Sequence, residues 1–375
     1  MANVNVILWS RASKLKELSI AVQDKSDFQA YCYDIIRRSS TTLLSLDISC
    51  LASSRSYLWL AAFYQRPGTA TTSKLSSLTI SRLQLTRDAF SALLQQCPLL
   101  NTLEMKDIVI HCSFESDMFQ HCGLKELYAS INQVFTMDPS FPGAPSLFIH
   151  FPNLEDWNTE YRTPTPTISM DVIAKDVARY CPLLKGLHTG TGGDITKDLL
   201  LQVFRNLSTI VVSYKILSAD IVTAILSHHN TLEHLMTFIP HDGFLESDNV
   251  PALTDQLQHS RRAIDLLPQL CTKLKLLCLS LHEMHIDEIE QVTWGCKGLE
   301  ALHIRIHGLN TKEKIDRTIQ LWRDGRAKST ALKDGAGALQ CDTSIEARVA
   351  RHLLRFEKLR KIWLGHKIRT INGPL

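Results

Sequence analysis

The feature that most constrains this chain is a phrase, leucine-x-x-leucine-x-apolar, that returns twelve times along it. Clear copies are Leu15-Leu18-Ile20, Leu43-Leu46-Ile48, Leu75-Leu78-Ile80, Leu100-Leu103-Met105, Leu207-Ile210-Val212, Leu274-Leu277-Leu279, Leu299-Leu302-Ile304 and Leu359-Ile362-Leu364. Weaker copies begin at Leu124, Leu154, Leu184 and Leu232, with Ala129, Thr159, Thr189 and Thr237 in the third position. The spacing clusters between 23 and 32 residues. Length alone would divide 375 residues into two or three globular domains, but a repeat of this period replaces that division with a stack of equivalent units.

The second and third apolar positions alternate with variable residues, the period of a short strand with one buried face. Between strands the period becomes helical. In Thr86 to Leu94 the Thr86 hydroxyl is placed to cap a helix whose Phe90, Leu93 and Leu94 share one face. Ser218 ahead of Ile221, Ile225 and Leu226 repeats the arrangement, and Thr343 with Glu346 reads as a capping box before the last strand. One strand and one helix cannot cover their own apolar face, whereas stacked neighbours join into a continuous core. Each buried leucine contributes roughly 1.5–3 kcal/mol, which supports such a stack without disulfides or metal.

This pattern resembles the leucine-rich-repeat family, in its ribonuclease-inhibitor-like class, from about Leu15 to Leu364. The resemblance implies an α/β horseshoe-shaped solenoid with parallel strands on the concave face and helices on the convex face. It also implies one solenoid over 15–375 behind an N-terminal cap segment, 1–14, with insertions near 137–152, 239–265 and 306–350. The stretch from Met137 to Pro152, with four prolines, is expected as an extended loop. The family places Asn or Cys eight positions after the first leucine to hold the turn. Here Leu51, Leu83, Ile108, His282 and His307 stand there, so the turns are expected to be irregular.

Composition limits function. Apolar residues make up 45% and charged residues 21%, and the net charge is only +3 with no run of five like charges, which argues against nucleic acid as partner. The start holds only a four-residue apolar stretch, Val6 to Trp9, and no segment approaches the roughly eighteen apolar residues that cross a bilayer. The expectation is an intracellular protein, cytoplasmic or nuclear, with no membrane contact and with its ten cysteines as thiols.

Three constellations invite chemistry and fall short of it. Cys97, Cys181, Cys271 and Cys296 each stand three residues before the first leucine of a repeat, a phase that makes them packing residues rather than converging metal ligands. His282-Glu283-Met284-His285 has its histidines three apart, where a zinc-protease helix needs four. Gly190-Thr191-Gly192-Gly193-Asp194 lacks the third glycine of a dinucleotide loop, and Asp194 or Thr196 is expected to cap the next helix. No enzyme activity, metal or cofactor is expected.

A partner surface is expected where strand alternation turns variable residues away from the core. In the first three repeats these are Glu17, Ser19, Ala21, Ser45, Asp47, Ser49, Ser77, Thr79 and Ser81, all small or acidic. In the last four the composition changes, and Met236, Phe238, Leu276, His303, Arg305 and Trp363 form the candidate protein-binding face, with Met236, Cys278, His303 and Trp363 in one row. The alternative is that an insert folds over this face and makes it core.

The irregular repeats, the two Cys-Pro-Leu-Leu phrases and the long gaps resemble the substrate-recognition region of F-box/leucine-rich-repeat subunits of SCF ubiquitin ligases. That resemblance implies a protein partner, with SCF components joining it through an F-box. No recognisable F-box precedes Leu15, so a stand-alone scaffold unrelated to ubiquitin is the other reading. GTPase-activating repeat proteins have tight repeats and an acidic tail, which this chain lacks.

Overall fold

The computed structural model describes residues 15–22, 34–54, 73–111, 119–135, 146–159, 168–189, 193–213, 217–238, 263–331 and 342–365. The chain forms two compact units, Met1–Thr191 and Gly192–Leu375. The first holds β1 (Glu17–Val22), β2 (Ser45–Ser54), β3 (Ser77–Thr86), β4 (Thr102–Lys106), β5 (Val109–His111), β6 (Glu126–Tyr128), β7 (Asp156–Asn158) and β8 (Gly186–Thr189). The second holds β9 (Thr209–Ser213), β10 (His234–Phe238), β11 (Leu276–Met284), β12 (Ala301–Ile306) and β13 (Lys361–Leu364). Within each unit every pairing is parallel, and neighbours in sequence are neighbours in the sheet, except that β5 pairs with the end of β3. Apart from β5, each strand begins two residues after the first leucine of its phrase.

Parallel strands need a crossover, and the helical segments supply it. Thr86 accepts a hydrogen bond from the Ala89 amide to open the helix Arg87–Gln96, which buries Phe90, Leu93 and Leu94. Ser218 caps Ala219–Leu226 in the same way through the Ile221 amide. Ahead of β13 the capping residue is Ser344, which accepts from Ala347, and not Thr343, so the helix is Ile345–Leu353. Asp194 and Thr196 lie inside the helix Gly193–Asp198 rather than capping it. Of the expected loop from Met137 to Pro152, residues 137–145 lie outside the described residues, and the described part forms a 3-10 turn, Leu147–His150, whose Leu147 and Phe148 enter the core. Between β12 and β13 the interval holds two helices, Lys312–Ala331 and Ile345–Leu353, and residues 263–270 precede β11 as a helix. The cap segment 1–14, the rest of the 239–265 insertion and the side chain of Leu51 lie outside the described residues.

The repeats are held in phase by one backbone contact. The carbonyl one residue after the first leucine accepts two successive amides from the start of the next strand, at 2.7–3.1 Å. Lys16, Leu44, Ser76, Asn101, Lys125 and Glu155 do this in the first unit, and Ser208, Glu233, Lys275 and Glu300 in the second. Interior positions are then filled as the phrase requires: Leu46, Leu78, Leu103, Leu127, Trp157, Leu187, Ile210, Leu235, Leu277 and Leu302 are all buried. The threonines of the weak copies bury their hydroxyls by bonding to the next strand. Thr159 donates to the His188 carbonyl and Thr237 to that of Cys278, which offsets the penalty of an unsatisfied hydroxyl.

The irregular turns have a structural cause. Arg82 and Asp107 adopt left-handed backbone, with φ of 57° and 53°, one residue before the position where the family has Asn or Cys. This reversal swings Leu83 and Ile108 into the core, and β3 continues past it to pair with β5. Apolar burial replaces the side-chain hydrogen bond that would otherwise hold the turn.

All four phased cysteines are buried, and Cys97 and Cys181 terminate the helices before them. The carbonyl of each accepts the amide of the first leucine of the next phrase. Burial pushes the thiols of Cys97, Cys271 and Cys296 up to about 12 and that of Cys181 higher still, so they are protonated and unreactive. Brief treatment of the native protein with iodoacetamide should therefore label the exposed Cys122 and spare these four, as peptide mass spectrometry would show.

Buried histidines are the other polar feature of the core. His150 accepts from the Arg87 guanidinium and contacts the Phe119 carbonyl, His282 accepts from the Leu217 amide, and His352 is wedged against Trp294 and Phe356. Burial pulls all three down to about 4. The unfolded chain protonates them near 6.5, so between pH 6.5 and 4 it binds more protons than the fold, and stability falls as pH falls. Each ring contributes on the order of 3 kcal/mol to that loss. Urea midpoints should be flat above pH 7 and drop steeply from pH 6.5 to 4.5, and His150→Gln should make the drop shallower.

Candidate binding surfaces

Strand register brings together the row expected in the second unit. Met236 is opposite Cys278, Cys278 opposite His303, and His303 opposite Trp363. Met236, Leu276, Arg305 and Trp363 are half-buried, and the side chain of Phe238 lies outside the described residues. His303 differs from its expected exposure: it is only 4% exposed. Its Nε2 is 3.4 Å from the Gly365 carbonyl and its Nδ1 3.3 Å from Cys278 Sγ, with its ring 6.2 Å from that of Trp363. Donation from Nε2 and acceptance at Nδ1 describe a neutral ring, and burial pulls its pKa down accordingly. His303 thus fixes the positions of Cys278 and Trp363 rather than offering itself to a partner. Arg305 stands in register with Glu283, whose charge favours the guanidinium. The rows through Leu276 and through Cys278 contain no carboxylate, whereas the row of Arg305 holds Glu283.

The histidines of the His282 to His285 stretch do not form a metal site. His282 belongs to β11, where its Nε2 takes the Leu217 amide, and His285 precedes the helix Ile286–Gln291 with its ring stacked on His307 at 4.4 Å. Among the described residues no three His, Cys, Asp or Glu side chains are arranged to hold a metal ion.

The first unit has a surface that the sequence reading passed over. On β6, β7 and β8 the outward residues are Glu126 and Tyr128, Asp156 and Asn158, and Gly186 and His188, paired across the sheet in that order. All of them but Gly186 line a cavity of about 190 Å³ together with Leu127. This is below the 300 Å³ or so of a typical small-molecule site and suits one side chain. Gly186 leaves room for the Asp156 side chain, because a Cβ there would fall on the Asp156 carboxylate. Glu126 accepts from the Thr102 hydroxyl at 3.2 Å. Burial raises the Asp156 carboxyl above its ordinary value, with a partly opposing pull from His188. Burial lowers the His188 imidazole. The signal in the sequence was present but weak: these residues occupy the outward positions of the copies beginning at Leu124, Leu154 and Leu184, whose third positions are not aliphatic.

No protein-family model matches the chain, and no curated protein is similar enough to match it. Among the described residues no helix is long and apolar enough to cross a membrane.

The Gly186 contact is testable on its own. Gly186→Ala should cost about 1–3 kcal/mol through overpacking, and adding Asp156→Ala should recover most of it. Denaturant unfolding of the single and double variants measures that coupling, and simple additivity would contradict the steric account.

Proposed function

We propose that this chain is a protein-binding leucine-rich-repeat module, similar to the substrate-recognition region of an F-box/leucine-rich-repeat subunit, and that it has no catalytic activity of its own. The row Met236, Cys278, His303 and Trp363 carries the reading. Partly accessible Met and Trp side chains, on a row without carboxylates and on the same strands as an arginine, are the residue types enriched at interface hot spots. The buried His303 beneath Trp363 supports it further, since a hot-spot aromatic needs a fixed orientation.

Trp363→Ala should weaken capture of the partner from cell extract by about 2 kcal/mol, roughly thirtyfold, with a much smaller change in the denaturation midpoint. A stability loss of about 3–5 kcal/mol instead would mean that the indole is core and that the row is not a binding face. Co-purification of SCF components with the full chain favours the ubiquitin-ligase reading. A captured partner without them favours a stand-alone scaffold.

A further inference from the structure

The outward residues that line the cavity of the first unit are mainly acidic and polar. Of the outward residues on β1 to β4 and β6 to β8, five are carboxylates, namely Glu17, Asp47, Glu104, Glu126 and Asp156, and a single one, Lys106, is a lysine or arginine. Three neighbouring lysines are already engaged. Lys106 lies 2.7 Å from Glu104, while Lys125 and Lys185 both bind Glu155, whose carboxylate they hold down to about 2. The Asp156 carboxylate, by contrast, makes no hydrogen bond or ion pair among the described residues, although burial already disfavours its charge. A half-buried carboxylate with no donor leaves electrostatic energy that a cation arriving from outside would recover.

The lining says what kind of cation. Glu126, Asp156 and His188 do not converge as metal ligands, and the volume exceeds what a bare ion fills. Tyr128 lines the cavity with the two carboxylates, an aromatic residue and anionic acceptors of the kinds that a guanidinium or alkylammonium uses together. The rest of the face is a run of parallel strands with small and acidic side chains at regular intervals, suited to an extended chain whose side chains alternate.

We propose that the sheet face of the first unit docks an extended, lysine- or arginine-rich segment of a partner protein, with one cationic side chain seated between Glu126, Asp156 and Tyr128. The proposal extends the protein-binding reading to a second surface. It is separable from that reading, because Trp363 belongs to the other unit and its replacement leaves this cavity unchanged.

The experiment uses the full chain and a fluorescein-labelled twelve-residue peptide of alternating lysine and serine, followed by anisotropy at low salt and at 0.3 M salt. Glutamate-serine peptide and spermidine serve as comparisons. The expected results are saturable binding of the lysine peptide, at least tenfold weaker for Glu126→Gln/Asp156→Asn, weaker at high salt and unchanged for Asp316→Asn. Thermal midpoints check that the double variant is folded, and Glu126→Gln alone, should the double variant not fold, is expected to weaken binding several-fold. Equal binding to folded wild type and charge-neutralised variants, or no binding at all, overturns the proposal. So does spermidine binding more tightly than the peptide, since the occupant would then be a free polyamine.

Discussion

Everything regular in this structure depends on one shared acceptor. The carbonyl after the first leucine of each repeat takes two amides from the start of the next strand, so the register of a strand is fixed before any of its side chains packs. The distance along the chain to the next repeat does not enter. Gaps of 25 residues between Leu274 and Leu299, and of 60 between Leu299 and Leu359, lead to the same contact at nearly the same lengths. Whatever intervenes needs only to bring its end back to that carbonyl, and loop closure grows slowly with length.

Some polar groups inside the stack take part in holding its junctions. His121 occupies the same place as the buried cysteines, three residues before a first leucine, and its ring stands in for backbone, accepting the Leu124 amide and contacting the Cys97 carbonyl. His228 does the equivalent for the Leu207 amide and the Leu200 carbonyl. Burial pulls the His228 imidazole below its ordinary value, which ties the packing of that junction to proton activity in a way that the leucines alone would not.

Much of this was legible before any coordinates. The leucine phrase marked the start of all twelve principal strands, and its alternation separated core from outward residues, because burial of those leucines is what forms the strands. The row through Met236 and Trp363 followed from phase alone. Other features were not legible, for physical reasons. Arg82 and Asp107 in left-handed backbone carry no signature, since neither is glycine. His303 reads as outward by alternation yet is buried, because the approach of Gly365 is a tertiary matter. The acidic cavity required knowing that Gly186 lies beside Asp156, and in sequence that glycine resembles a strand breaker.

The buried thiols have a consequence of another kind. Cys97 and Cys181 lie in one unit and Cys271 and Cys296 in the other, each at a helix-to-strand junction and each closed to reagents while its junction is closed. A quasi-one-dimensional stack opens piecemeal, with its own equilibrium at each place. The four sulfurs are therefore built-in clocks of local opening. The rate at which each one oxidises would record how often its own stretch of the stack comes apart, and a molecule that has aged in an oxidising environment would carry that history in order along its chain.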